Sequence, residues 1–237
     1  MKTSITSIII SLLLSYTATG QVEQGFELLQ VQKIAEVYKR APNLSFSTNY
    51  TYADSSSPGT ILEQMSGITQ LQEGRFRTII DSVECVQGNQ YTVIAYLRDS
   101  QITVNDRVPN ADILKLSLLD SLFRASSVDS LSITNVNDST RQLTVFFYEQ
   151  SVYRLYKLRY DKLRYYVRSI EYYLKDVPDG TGTSVGTALI KVDFSNYSTA
   201  PLDPSIFNED RFIYKANGQF MAKPPYEAFQ LIVNTIY

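Results

Sequence analysis

The chain has 237 residues, with 22 basic and 24 acidic side chains, one cysteine and no histidine. The missing histidine excludes Ser-His-Asp and Cys-His catalysis and histidine-ligated zinc, and the single Cys85 excludes an internal disulfide. The nearly balanced charge argues against nucleic-acid binding and against strong attraction to a membrane surface. No motif for a cofactor, a metal ion or a phosphate loop is present, so an enzyme is the least favoured class of function.

The first 20 residues predict a secretory signal peptide. Lys2 gives a positive start, an apolar run spans residues 8–14, and the small residues Ala18-Thr19-Gly20 precede Gln21; this order is typical of a cleaved signal. The run is shorter than the roughly 20 residues that span a bilayer, which disfavours the alternative, a membrane anchor. We therefore expect a signal peptide over 1–20 and a single exported domain over 21–237.

The first half of the exported chain predicts one helix and then strands. Apolar residues spaced by three and four predict a helix over residues 24–40. Large side chains alternate with small polar ones over 44–52, which is typical of a strand with one buried face. Gly88-Asn89 predicts a hairpin turn. Further strands are predicted over 61–71, 75–86, 91–97 and 101–104.

A leucine-rich segment in mid-chain breaks the strand pattern. Residues 111–124 follow Val108-Pro109-Asn110 and predict a helix. A helix at this position either covers an open sheet, as a movable lid, or is a packed connection between two groups of strands.

The second half returns to strands. Alternating and two-sided apolar patterns predict strands over 130–135, 142–149, 152–160, 163–174, 189–197 and 218–224, and a terminal helix over 226–237. About ten strands with turn signals every 8 to 12 residues indicate a sheet that curls into a barrel or sandwich.

Three segments of the chain carry a resemblance to a known family. They are Gly74-Arg75-Phe76-Arg77 with the following Gly88-Asn89 turn and aromatic strand 91–96, the hairpin 152–174, and the strand 190–197 followed by Asp203 and Phe207. They are similar to segments of the LolA-like and LolB-like periplasmic lipoprotein carriers. Thr78 stands where that family often has tryptophan, which identifies the chain as a divergent relative.

The resemblance implies both a fold and a function. The implied fold class is α+β, with a strongly curved antiparallel sheet that forms an incomplete β-barrel and helices across its concave side. The implied function is non-enzymatic binding of a lipid or of lipoprotein acyl chains, without a cofactor. The implied location is the periplasm, with secretion as the alternative, and transient contact with a membrane is compatible with this function.

Alternation along the strands supplies candidate residues for lining a hydrophobic cavity. The strand 142–149 is apolar on both faces, so either its own helices or a ligand cavity covers it, and the helices are the simpler interpretation. The lining candidates are Leu44, Phe46, Tyr50, Phe76, Ile80, Val93, Phe146, Tyr148, Ile190 and Phe194.

The hairpin 152–174 interleaves basic residues with tyrosines and suggests a second class of function. It could bind anionic headgroups, but a solvated face with Arg stems packed over Tyr rings is the simpler interpretation. Because Tyr and Arg are enriched at interfaces, the alternative function is an adaptor that docks envelope proteins. Tyr156, Arg159 and Arg164 are the candidates for such a partner surface.

Overall fold

The computed structural model describes residues 26–108, 128–175 and 187–234. The predicted signal peptide and the predicted helix over 111–124 lie outside the described residues. The helix predicted over 24–40 is confirmed as α1, Phe26–Arg40.

Strands dominate the described chain. They are β1 (Leu44–Asp54), β2 (Ile61–Gln72), β3 (Arg75–Ile80), β4 (Val83–Gln87), β5 (Tyr91–Tyr96), β6 (Gln101–Asp106), β7 (Val128–Asn135), β8 (Thr140–Phe147), β9 (Tyr153–Asp161), β10 (Val167–Leu174), β11 (Ala188–Ser198), β12 (Ile213–Ala216), β13 (Gln219–Ala222) and β14 (Gln230–Asn234). Two short 3-10 helices, Pro204–Phe207 and Glu209–Arg211, precede β12.

The strands form one large sheet and one small ribbon. The large sheet has the order β14-β6-β5-β4-β3-β2-β1-β11-β10-β9-β8-β7, and β12 pairs with β13. The two edge strands of the large sheet differ, so the sheet is open. The predicted fold class is confirmed: the chain is α+β, with a large, open, mainly antiparallel sheet.

Two predicted elements are corrected. The strand expected over 75–86 is two strands, because the chain reverses at Asp81-Ser82, where Asp81 has a φ of 51° and Ile80 pairs with Val83. The helix expected over 226–237 is wrong within the described residues. Instead β14 pairs in parallel with β6, with Leu231 opposite Ile102, so one edge of the sheet is not antiparallel.

The chain divides into two compact units, each built from separate segments. Unit 1 comprises Met1–Val37, Tyr50–Gln64 and Asp112–Asp193, and unit 2 comprises Tyr38–Asn49, Met65–Ala111 and Phe194–Tyr237. The single domain over 21–237 stays a prediction.

Unit 1 has an apolar row that runs across four strands. Leu143 pairs with Leu158, Leu158 with Ile170, and Ile170 with Val192, and all four side chains are buried. From α1, Gln30 Oε1 accepts a hydrogen bond from Arg141 at 3.5 Å. The buried face of this unit is therefore built by the hydrophobic positions of β8 to β11.

Unit 2 places its core on one face of β4 to β6. Val86, Val93 and Val104 are neighbours in the register, and each is fully buried. Phe212 and Ile213 pack against them, and Tyr226 and Phe229 complete the layer. We call this side of the sheet the covered face, because the C-terminal segment lies on it.

Candidate functional site

The opposite side of β3, β4 and β5 carries apolar side chains that are only half-buried, and β6 presents Gln101, Thr103 and Asn105 on this side. Thr78, Cys85, Ile94 and Thr103 form one cross-strand row. We call this side the open face, and its apolar side chains are Phe76, Ile80, Val83, Cys85, Ile94 and Tyr96. The core cluster built on Val86, Val93 and Val104 lies on the covered face, so the open face presents apolar surface in addition to that cluster.

A buried glutamine closes one end of the open face. Gln87 accepts a hydrogen bond from the Thr92 hydroxyl at 3.0 Å and donates to the carbonyls of Gly74 at 3.3 Å and Val108 at 3.2 Å. The Val108 amide donates back to Gln87 Oε1 at 3.3 Å. These bonds anchor the point at which the chain leaves β6, just before the segment predicted to be a helix over 111–124.

Tyr96 lies at the other end of the open face. Burial raises the pKa of its phenol above the ordinary value, and Cys85 and Asp99 act in the same direction. The phenol therefore stays neutral at neutral pH, and its titration adds no charge to this apolar surface.

The structure distributes the predicted lining residues of unit 2 over three places. Phe76 and Ile80 lie on the open face. Leu44 and Phe46 are buried. Val93 is a correction, because it lies on the covered face and cannot line the same surface as Phe76.

Phe46 belongs to an aromatic cluster of unit 2. Its ring centroid lies 5.3 Å from that of Tyr197 and 5.8 Å from those of Tyr38 and Phe194, and the Tyr38 and Tyr197 hydroxyls are 2.6 Å apart. Side-chain atoms of Thr48 and Ile80 flank the position where Gly67 would carry a Cβ. Phe46, two residues before Thr48 on β1, therefore shares the side of the sheet that carries the open face.

The predicted lining residues of unit 1 also do not share one surface. Ile190 is buried beside Leu174 and Ala188, and Tyr50 is half-buried. Phe146 and Tyr148 are 45% and 42% exposed, which corrects their assignment to an enclosed lining. The alternate positions on β8, including Val145, occupy the buried face instead.

The predicted partner surface on the hairpin 152–174 is corrected at Tyr156. That ring is only 1% exposed and packs edge-to-face on Tyr172 at 5.1 Å. Arg159 is half-buried, with its Nε 2.8 Å from Gln142 Oε1 and a terminal nitrogen 3.6 Å from Glu171. Arg164 is exposed.

Asp161 fixes the turn that carries Arg164. Burial opposes ionisation of its carboxyl, but the amides of Arg164 and Leu163 and the Arg168 guanidinium together hold the pKa below the ordinary value. The amide distances are 2.9 and 3.0 Å. The carboxylate is thus a structural element of the turn.

The two arginines of the Arg-aromatic-Arg segment have a structural role on the covered face. Arg77 lies 2.6 Å from the Glu84 carboxylate, which also contacts Arg211 at 3.0 Å. The Arg75 guanidinium lies over the Phe207 ring at 5.3 Å. Both contacts tie the C-terminal segment to the sheet.

Alternation missed the open-face residues Ile94, Tyr96, Val83 and Cys85. The signal was present on β5, where Ile94 and Tyr96 alternate with Val93 and Ala95, but a strand with two apolar faces does not mark the one that stays open. Within the described residues, no group of three acidic, cysteine or histidine side chains could hold a metal ion. No helix of the described chain has the length and apolar character needed to cross a membrane.

Comparison with known proteins finds likeness in solved structures alone. No family pattern and no curated sequence matches the chain. A LolA superfamily protein from Nitrosomonas europaea is 12% identical, with a TM-score of 0.35, covering 79% of this chain and 99% of its own. A putative outer membrane lipoprotein-sorting protein domain from Vibrio parahaemolyticus is 11% identical, with a TM-score of 0.33, covering 77% and 96%.

A third similar structure is the lipoprotein LppX of Mycobacterium tuberculosis, which is 10% identical, with a TM-score of 0.39, covering 75% of this chain and 97% of its own. All three TM-scores lie below 0.5, so a function for this chain must rest on its own residues.

Proposed function

We propose that this protein is a non-enzymatic component of the cell envelope that binds a hydrophobic ligand, a lipid or the acyl chains of a lipoprotein. The observation that carries the proposal is the open face of unit 2. Strands β5 and β6 bury their apolar side chains on the covered face, yet Ile94 and Tyr96 present further apolar surface on the other side. A sheet with water on one side normally alternates apolar and polar residues.

Burial supplies the affinity in this proposal. Each CH₂ of an acyl chain that leaves water contributes about 0.8 kcal/mol, so a chain laid along Phe76, Ile80 and Ile94 can be held without a charged anchor. Release then requires a cover that moves, and the predicted helix over 111–124 is the proposed lid. Its N-terminal connection starts at the anchored Val108.

The test is to recover the ligand from the protein as it is made. Protein purified from its own envelope is examined by native mass spectrometry and lipid extraction, and we expect a bound lipid at a reproducible stoichiometry. Ile94→Asn places an amide in the apolar surface and should reduce the lipid occupancy several-fold. The matched control is Val136→Asn, on an exposed turn residue, which should leave occupancy unchanged. A folded protein that is empty in every preparation would refute the proposal.

A further inference from the structure

The charged residues of five neighbouring strands of unit 2 all lie on one side of the sheet. Strands β3, β4, β5, β6 and β14 contain four charged side chains. Side chains alternate along each strand, and the register places all four on the covered face; they are Arg75, Arg77, Glu84 and Asp106. Charged side chains usually lie on the side of a sheet that faces water, so this distribution fits an open face that contacts an uncharged ligand.

The arginines at the two ends of the open face are already engaged. Arg98 follows β5 and lies 3.0 Å from the Asp81 carboxylate. Arg107 follows β6, and its guanidinium donates to the carbonyls of Gly74 and Asn89 at 3.4 Å each. An anionic headgroup laid on this face would leave water without a cation from β3 to β6 or β14 to pair with. That costs far more free energy than the burial of an uncharged polar group.

One edge of the open face is polar and uncharged. Gln101, Thr103 and Asn105 of β6 lie on this side, and the parallel pairing places Gln230 and Asn234 of β14 beside Gln101 and Asn105. We call these five residues the polar strip. Within it, Gln101 Nε2 donates to Thr103 Oγ1 at 3.5 Å, and Asn234 Nδ2 donates to Asn105 Oδ1 at 3.2 Å. Amides and hydroxyls both donate and accept, so the strip can bind an uncharged head that carries hydroxyl and ester oxygens.

The apolar part of the open face lies on the strands next to the polar strip. Ile94 is opposite Thr103 in the register, Val83 pairs with Ile80 on the next two strands, and Phe76 lies on the same side of β3. At roughly 4.8 Å per strand, the face extends about 14 Å from β3 to β6. The face is therefore mainly apolar over β3 to β5 and polar without charge over β6 and β14, which matches a lipid with an acyl chain and a small neutral head.

From this division of the face we infer that the ligand of the open face is an acylglycerol, a lipid with an uncharged glycerol head, and that anionic lipids are rejected. The inference rests on the proposed function and names the class of lipid. The acyl chain lies across β3 to β5, and the hydroxyl and ester oxygens of the head bind the polar strip through Thr103 and Asn105. A phosphate or carboxylate on this face would lose its hydration without compensation.

The experiment compares two ligands that differ by one phosphate, monopalmitoylglycerol and its 3-phosphate, on the purified, lipid-stripped protein. Native mass spectrometry of the two in competition, with calorimetry for the affinities, should show the neutral lipid bound at least tenfold more tightly. Thr103→Val keeps the shape of the side chain and removes its hydroxyl. It should weaken the binding of monopalmitoylglycerol about fivefold, the loss expected for one hydrogen bond.

A second variant tests the charge argument. Thr103→Lys adds a cation to the polar strip and should shift the preference toward the phosphate by about tenfold or more. Thr134→Lys is the matched control: Thr134 is exposed on β7 of unit 1, so this variant has the same net charge and should keep the preference of the wild type. Circular dichroism and thermal unfolding verify that each variant is folded.

The outcomes separate this inference from the proposed function. Equal or tighter binding of the phosphate by the wild type would overturn the inference and leave the binding of a hydrophobic ligand in place. An equal change of preference in Thr103→Lys and Thr134→Lys would do the same. If the folded protein binds neither lipid, the inference is wrong, and the lipid content of the envelope-purified protein then decides the proposed function by itself.

Discussion

Gly88 and Glu209 bring two distant parts of the chain into contact in unit 2. The Glu209 carboxylate lies under the β4–β5 turn and accepts hydrogen bonds from the three backbone amides of residues 89–91. A Cβ on Gly88 would overlap the Glu209 carboxylate and lie 2.9 Å from the carbonyl oxygen of Phe207. The turn therefore depends on a glycine for space, because the carboxylate occupies the volume where a side chain would begin.

We predict that Gly88→Ala destabilises the protein by about 1–3 kcal/mol, the range for overpacking of a well-packed site. The clash displaces the buried Glu209 carboxylate and removes its hydrogen bonds to the backbone amides of the β4–β5 turn. Denaturant unfolding monitored by circular dichroism measures the change in the free energy of unfolding.

Gly59→Ala is the matched control. Gly59 lies in the β1–β2 turn and has nothing within 4 Å of an added Cβ, so the same substitution there should change stability by less than about 0.5 kcal/mol. Equal effects at the two glycines would show that Glu209 does not hold the turn in this way.

The sequence predicts which residues belong to strands, but it does not predict which residues of different strands share a face of the sheet. Alternation places Phe76 and Ile80 as one set on one face of β3, since they lie four residues apart and every second residue of a strand shares a face. It cannot join that set to the right residues of β5, because Val93 and Ile94 are both apolar and β-branched. Only the register, in which Ile94 is opposite Cys85 and Cys85 opposite Thr78, decides that Ile94 and not Val93 shares a face with Phe76.

At the scale of elements, β14 is where tertiary pairing overrides the local pattern. Tyr226, Phe229 and Ile232 recur at a spacing of three, as on one side of a helix, yet Tyr226 and Phe229 lie in turns that pack on the covered face. The chain then runs parallel to β6, beginning with the Gln230 amide, which donates to the Ser100 carbonyl at 2.8 Å. The exposed edge of β6 supplies hydrogen-bond partners that a short terminal helix would lack.

We predict that proline is much less tolerated at Ile232 than at Val233. In a parallel ladder alternate residues donate to the neighbouring strand, so the pattern that starts at Gln230 directs the Ile232 amide to β6 and the Val233 amide away from it. Ile232→Pro should cost about 1 kcal/mol more than Val233→Pro, the net value of one hydrogen bond, because prolines are accepted at outward positions of edge strands.

Thermal and denaturant unfolding of the two variants measures this difference, and hydrogen exchange at Ile102 and Val104 reports on the pairing. Equal destabilisation by the two prolines would contradict the parallel strand, since a helix would be broken similarly at either position.

The missed turn at Asp81-Ser82 has a related cause. Ile79, Ile80 and Val83 form a nearly continuous apolar run, which hides a two-residue reversal between them. Asp81 tolerates the left-handed backbone conformation better than most residues. An aspartate at this position was therefore the one indication of a turn that the sequence contained. The turn after β1, by contrast, was predicted because Pro58-Gly59 and the serines before it favour turn conformations.

At the scale of the whole molecule, we predict that the chain is exported and processed. The charged start, the short apolar run and Ala18-Thr19-Gly20 predict cleavage before Gln21. Cell fractionation with N-terminal sequencing should find a chain that begins at or near Gln21 in the soluble periplasmic fraction. Blocking the signal by Leu13→Arg should leave the precursor in the cytoplasm, whereas the conservative Leu13→Ile should not.

A chain that retains Met1 in the cytoplasm of untreated cells would contradict export, and with it the proposal that the open face holds an envelope lipid.

The sequence by itself determined the class of secondary structure, the strand-rich α+β fold, and the absence of histidine and disulfide chemistry, because these follow from composition and from the two-residue period of strands. Only the tertiary structure decided which apolar face is covered, that Tyr156 is buried, and that Glu209 lies under the β4–β5 turn. The first and the last of these depend on contacts between residues more than a hundred positions apart, such as Glu209 with Gln90, and the burial of Tyr156 depends on its packing against Tyr172 of the neighbouring strand; local periodicity contains no information about such partners.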